Sequence, residues 1–198
     1  MNALGTSSRL IGYSCVFLSV GFLLYRAEDF QVVLASAFLA AICLIDTLTS
    51  RIPNVANASL AAAGLAFNLF MAGAGGLATS GLGMLAGLGL LLLPYLMGGI
   101  GAGDVKALAA LGSLVGPWPI LQIFVYMALC GGILGIIHYM LNQDLKEALA
   151  KRWISFRVAA MTGDLKPLTP EKTEKMRFPY AAAIALGYYL WLIRGDVL

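Results

Sequence analysis

IPNVANASLAAAGLAFNLFMAGAGGLATSGLGMLAGLGLLLLPYLMGGIGAG, residues 52–103, runs for 52 positions without a charged side chain. A membrane-crossing helix needs about 20 apolar residues. The stretch therefore holds two, Val55 to Gly73 and Leu77 to Met97, with a reversal at Ala74-Gly75-Gly76. Residues 10–25, 30–45, 107–143 and 178–193 are also free of charge. As one helix the 107–143 window would be ~55 Å long at 1.5 Å per residue. Gly116-Pro117-Trp118-Pro119 divides it, which predicts a short helix from Val105 to Val115 and a full span from Trp118 to Met140. Seven segments result. Of 198 residues, 60% are hydrophobic and 12% charged, against about 25% charged in a soluble domain. A globule of this size cannot hide so much apolar surface. A soluble enzyme or DNA-binding domain is excluded, and a net charge of +3 is too small to argue for nucleic acid. The predicted fold is an all-α polytopic membrane protein, a single membrane-embedded domain over residues 1–198. The first segment reads as a retained helix, because Tyr25-Arg26-Ala27-Glu28-Asp29 follows it with no small-x-small cleavage site.

The basic residues orient the bundle. With the amino terminus in the cytoplasm and seven spans, Arg9, Arg51, Lys106 and eight more Lys/Arg in the 142–178 loop fall inside, eleven in all. Only Arg26 and Arg194 fall outside, which is the bias of the positive-inside rule. In the loop, Leu145, Leu149, Trp153, Phe156 and Ala160 recur at helical spacing among basic residues. An interfacial helix on an anionic leaflet and a plain solvated connector fit that pattern equally. Gly83-x-x-x-Gly87 and Gly131-x-x-x-Gly135 allow close helix crossings. Cys15, Cys43 and Cys130 form no C-x-x-C pair and read as small buried hydrophobes.

Ionisable groups at membrane depth are costly, so each is a functional candidate. Asp46 closes the second apolar segment and Asp104 follows Gly98-Gly99-Ile100-Gly101-Ala102-Gly103. The threading brings these two acids, 58 positions apart, to the cytoplasmic face. Two close carboxylates share one proton. The ionised one activates a water and the protonated one hydrogen-bonds the scissile carbonyl, which is the chemistry of aspartic peptide hydrolysis, with no cofactor or metal required. Other catalytic patterns are missing: there is no H-E-x-x-H, no G-x-S-x-G, and one histidine, His138, in apolar surroundings. The competing reading makes the glycines a flexible turn and Asp104 a helix cap. The pattern alone weighs the two evenly.

At these residues the chain resembles a family. Gly101-Ala102-Gly103-Asp104 is similar to the G-x-G-D motif of intramembrane aspartic peptidases. Asp46 with Arg51-Ile52-Pro53-Asn54 resembles the first-aspartate motif of type IV prepilin peptidases. Phe178-Pro179-Tyr180 through Gly187 resembles the opening of that family's last helix, with Ala181 where the family often has glycine. The small Tad/Flp-pilus branch is the most similar. The resemblance implies Asp46 and Asp104 as the catalytic pair, with Gly101, Gly103, Lys106, Arg51, Pro53, Asn54, Pro179 and Tyr180 as supporting residues. Pro53 and Asn54 would break the second helix and cap the third. It implies prepilin or pseudopilin substrates with an N-terminal hydrophobic helix. Cleavage would follow the short basic leader at the cytoplasmic face of a bacterial inner membrane. Residues 10–25 then form a helix added to a six-span core. The larger members' domain with paired C-x-x-C motifs, which accompanies N-methylation, is not found in this sequence. Two other readings stay open here: a small ion- or proton-coupled transporter using the same acids, and an inactive homologue serving pilus assembly.

Overall fold

A computed structural model describes residues 3–49, 51–97, 99–141, 153–154, 157–158, 161 and 180–195. Among them there are helices and no strands. The elements described along their length are α1 (Ala3–Tyr25), α2 (Phe30–Thr49), α3 (Asn54–Leu96), α4 (Ala102–Val115), α5 (Pro117–Leu141) and α6 (Tyr180–Arg194). Three stretches, Phe30–Thr49, Asn54–Leu96 and Pro117–Ile136, are long and apolar enough to cross a membrane. The helix α4 has 14 residues, ~21 Å at 1.5 Å per residue, and does not by itself cross a hydrocarbon core of ~30 Å.

Local sequence explains the helix ends. Asp29 Oδ1 accepts the backbone N–H groups of Gln31 (3.1 Å) and Val32 (3.4 Å), which caps α2. Gly116, at φ 91°, closes α4, and Pro117 opens α5 where its missing N–H costs nothing. The reversal inside 52–103 comes at Gly73 (φ 60°, ψ −141°), and Ala74-Gly75-Gly76, expected as the turn, is helical. Packing accounts for one of the three glycines: a Cβ on Gly76 would collide with the Asn68 carbonyl, so Gly76 lies inside the hairpin contact, while Gly73 takes the left-handed conformation.

The two halves of α3 lie along α4 in opposite directions. In the first half, Asn57 meets Gly103 and Asn68 meets Ser113 and Leu114. In the second, Ser80 meets Ser113, Gly83 meets Gly112 and Gly87 meets Leu108. The short helix α4 is thus the centre of the bundle, with residues 107–114 all buried. A Cβ on Gly83 would meet the Gly112 carbonyl, and one on Gly87 would lie 2.6 Å from the Leu108 carbonyl oxygen. Gly83-x-x-x-Gly87 is accordingly a backbone-to-backbone crossing. The second glycine pair is not: Gly131 has only the Ala183 methyl nearby (3.7 Å) and Gly135 has nothing within 4 Å. Helix α6 instead crosses α5 at Gly187, where a Cβ would lie 2.8 Å from the Ile123 oxygen and the Met127 nitrogen.

Helix α1 packs on α2 and α6. Gly12 lies against Thr47, and the Phe22 and Tyr189 rings stack at 4.6 Å. Cys15 and Cys43 are buried and Cys130 is half-buried, all as free thiols. Residues 153–154, 157–158 and 161 are helical and exposed. Leu145, Leu149, Phe156 and Ala160, which carry the interfacial-helix reading, lie outside the described residues, and so does the side chain of His138.

Candidate active site

One end of the bundle gathers most of the residues singled out above. The helix α2 delivers Asp46 near its last turn, half-buried. The link to α3 follows at once. Thr49 sits at the turn, its hydroxyl donating to the Ile45 carbonyl (2.8 Å) with the Arg51 carbonyl as the alternative acceptor (3.2 Å). The Arg51 side chain is exposed. Pro53 occupies the position before α3 in an extended conformation (φ −69°, ψ 138°), where its fixed φ is already suitable. The expectation that Asn54 caps α3 is corrected by its position: Asn54 is the first helical residue, and no side chain caps that end. Its Oδ1 accepts instead from Lys106 Nζ at 2.9 Å, tying α3 to α4.

The glycine turn enters from the other side. Gly99 N–H donates to the Pro94 carbonyl (3.0 Å), winding the chain off α3, and Gly101 takes the position before α4. Gly103 lies against the link between α2 and α3, where a Cβ would be 3.2 Å from Ile52 Cβ. Asp104 stands in the first turn of α4, half-buried. Its Oδ2 accepts the Gly101 backbone N–H at 3.2 Å. Asp104 is therefore not the cap itself but the third helical residue reaching back to the backbone of the capping Gly101, and that bond does not exhaust this carboxyl. Burial pushes the Asp104 acid from its ordinary 3.8 up to about 7, and the Asp46 charge is the second cause. Hydrogen bonds from the backbone of Gly101 and of Asp104 itself pull it the other way. The carboxyl at the head of α4 thus senses the one at the foot of α2, and holds a proton near neutral pH.

The last helix also reaches this end. The Tyr180 hydroxyl, at the start of α6, donates to the Gly99 carbonyl at 2.8 Å. Pro179 lies outside the described residues. One residue was missed in the sequence: Asn57 is buried (4% exposed) and its Nδ2 donates to the Gly103 carbonyl at 3.1 Å. Its signal in the sequence is weak: an amide one turn after Asn54, among Val55, Ala56 and Ala58. Among the described residues no cluster of His, Cys, Asp or Glu is built to hold a metal.

Comparison with known proteins adds to this geometry. The sequence model of the type IV leader peptidase family matches residues 33–136, a span that contains Asp46, the α3 hairpin, the glycine turn and Asp104. The chain belongs to the type IV leader peptidase family. No curated protein and no solved structure matched it. The match runs from α2 through most of α5, and so includes both aspartate-bearing ends and the hairpin that packs around α4. Family and apolar helices together make the chain a membrane protein with a leader-peptidase function in general terms.

Proposed function

We propose that this chain is a membrane aspartic endopeptidase of the G-x-G-D type. It removes the short basic leader from prepilin or pseudopilin substrates at the cytoplasmic face of a bacterial inner membrane, in the small Tad/Flp-pilus branch. The observation that carries the proposal is the meeting of the chain just after Asp46 with the head of α4: Gly103 lies against Ile52 and Lys106 is bonded to Asn54, and at that junction burial first, and the Asp46 charge second, push the Asp104 acid up. Asp46, ionised, takes a proton from a water, and that water attacks the scissile carbonyl. Asp104, protonated, donates a hydrogen bond to the carbonyl oxygen and stabilises the charge that develops there. When the tetrahedral adduct collapses, the proton taken by Asp46 passes to the leaving amine. A scissile peptide must lie extended to be reached, and the glycine turn beside Asp104 leaves room for a strand-like chain.

The charge pattern supports the orientation. The helix ends near Asp46 and Asp104 carry Arg51 and Lys106, while Arg26 and Arg194 belong to the opposite ends. The α3 hairpin makes two passes, and with α1, α2, α4, α5 and α6 the bundle is read as seven segments, of which α4 is a short central one.

The test is coexpression with a prepilin that carries a basic leader, followed by immunoblotting and N-terminal sequencing. Wild type yields the mature form, and Asp46→Asn and Asp104→Asn leave the precursor intact. Normal leader removal by both variants would sink the mechanism. An intact precursor with wild type would return the transporter and inactive-homologue readings.

A further inference from the structure

Asn57 joins the start of α3 to the start of α4, 46 positions away in sequence. Asn54 and Asn57 lie about one turn apart on α3 and both face α4, one bonded to Lys106 and the other to Gly103. Gly103 directly precedes Asp104. The Gly103 Cα lies against Ile52, and its carbonyl accepts from the Asn57 amide. The Asp104 carboxyl is then fixed from behind by the Gly101 N–H.

A second observation concerns the other half of the amide. Asn57 Oδ1 is buried, and among the described residues no donor reaches it. A buried acceptor without a donor weakens a fold. The Gly103 carbonyl does not need Asn57 for its own satisfaction, because a first-turn carbonyl already accepts within the helix. An apolar side chain of the same size would remove the orphan and keep the packing. On stability grounds alone, leucine fits this position at least as well as asparagine. The amide is therefore best accounted for by what it holds in place.

We propose that Asn57 is a positioning residue whose amide fixes the Gly103 carbonyl and so sets the direction in which Asp104 meets Asp46. This rests on the peptidase reading above. A residue of this kind acts on turnover through geometry, since misplacing a catalytic group by about an ångström costs up to ~100-fold in rate. It leaves substrate binding nearly alone, because it touches no substrate.

The test uses the purified full chain in lipid, with a prepilin-type substrate, and compares wild type, Asn57→Leu and Asn57→Ala. Both variants are expected to lose ~10- to 100-fold in kcat, with KM changed by less than about twofold. The unfolding temperature of Asn57→Leu is expected to equal or exceed that of wild type. The alkaline limb of the pH–rate profile is expected to move to lower pH in both, because a looser pair feels less mutual repulsion and more water. The groups around the pair stay in place, Asp46 on α2 and Lys106 held on Asn54. Unchanged kcat in the variants, with wild type active, overturns the role of Asn57 and leaves the peptidase reading standing. Activity and unfolding temperature falling together in both variants, with an unmoved limb, makes Asn57 purely structural and overturns it too. An inactive wild type overturns the peptidase reading and this inference with it.

Discussion

Gly83 and Gly89 lie on the same half of α3 and differ only in what they face. A methyl added at Gly83 would meet the Gly112 carbonyl and lie 2.7–2.8 Å from the carbonyl carbon and Cα of Gly116. These are backbone atoms of the central helix and its cap, so no rotamer change can make room. Around Gly89 there is nothing within 4 Å. Replacing either glycine by alanine gains up to about 1 kcal/mol of helix propensity, a gain common to both. Gly83→Ala adds an overpacking cost of about 1–3 kcal/mol, because α3 and α4 must move apart. The difference between the variants is that cost. For a chain of this size each kcal/mol moves the unfolding temperature by about 2–4 °C, so Gly83→Ala is expected to melt about 2–12 °C below Gly89→Ala. Scanning fluorimetry of the purified protein in detergent reads this directly, with Gly89→Ala at or above wild type. Cleavage should fall with Gly83→Ala as well, because α4 carries Asp104. Equal unfolding temperatures for the two variants would refute the crossing of α3 and α4 described above.

Two further outcomes follow from the site. Cleavage by wild type is expected to decline as pH rises through about 7, since the raised Asp104 acid loses its proton there; a rate still climbing from pH 7 to 9 would contradict that role. Tyr180→Phe removes the hydroxyl that holds the Gly99 carbonyl, and a neutral hydrogen bond contributes about 0.5–1.5 kcal/mol. The variant should therefore melt a few degrees lower and cleave more slowly, and an unchanged protein would show that the tie between α6 and the glycine turn carries no weight.

Much of the fold was legible because charge is so scarce. The breaks at Pro53 and at Gly116-Pro117 stand out in apolar sequence, and the helices end there. The order of burial was not legible. Residues 107–114 are buried on every side, so α4 shows no polar face that would mark it as central rather than lipid-exposed. The hairpin was legible but its turn was displaced by one residue, because three glycines within four positions offer the same backbone freedom, and the contact of Gly76 with Asn68 that sets one of them apart depends on the folded hairpin. Glycine spacing likewise could not separate Gly83 and Gly87, which touch α4, from Gly131 and Gly135, which touch almost nothing.

At the candidate site, scarcity of charge picked out Asp46 and Asp104, whereas their mutual influence depends on how the hairpin wraps α4. Sequence posed cap and acid as rivals for Asp104. The position of the cap went to Gly101, whose N–H the carboxyl accepts, and the carboxyl is raised as an acid of the pair requires. Asn57 escaped notice because one amide in an apolar turn is uninformative until its partner, 46 positions away, is known.

The most direct test of the account titrates the Asp104 carboxyl itself. Infrared difference spectra of the protein in lipid follow the protonated carboxyl band against pH, and Asp104→Asn assigns it. In wild type the band should persist to about pH 7. In Asp46→Asn it should vanish at lower pH, though still above the ordinary 3.8, because burial is the larger cause and the Asp46 charge the smaller. A band that titrates at the same pH in both proteins would mean that the two aspartates do not sense each other, and would contradict the pair on which the proposed mechanism depends.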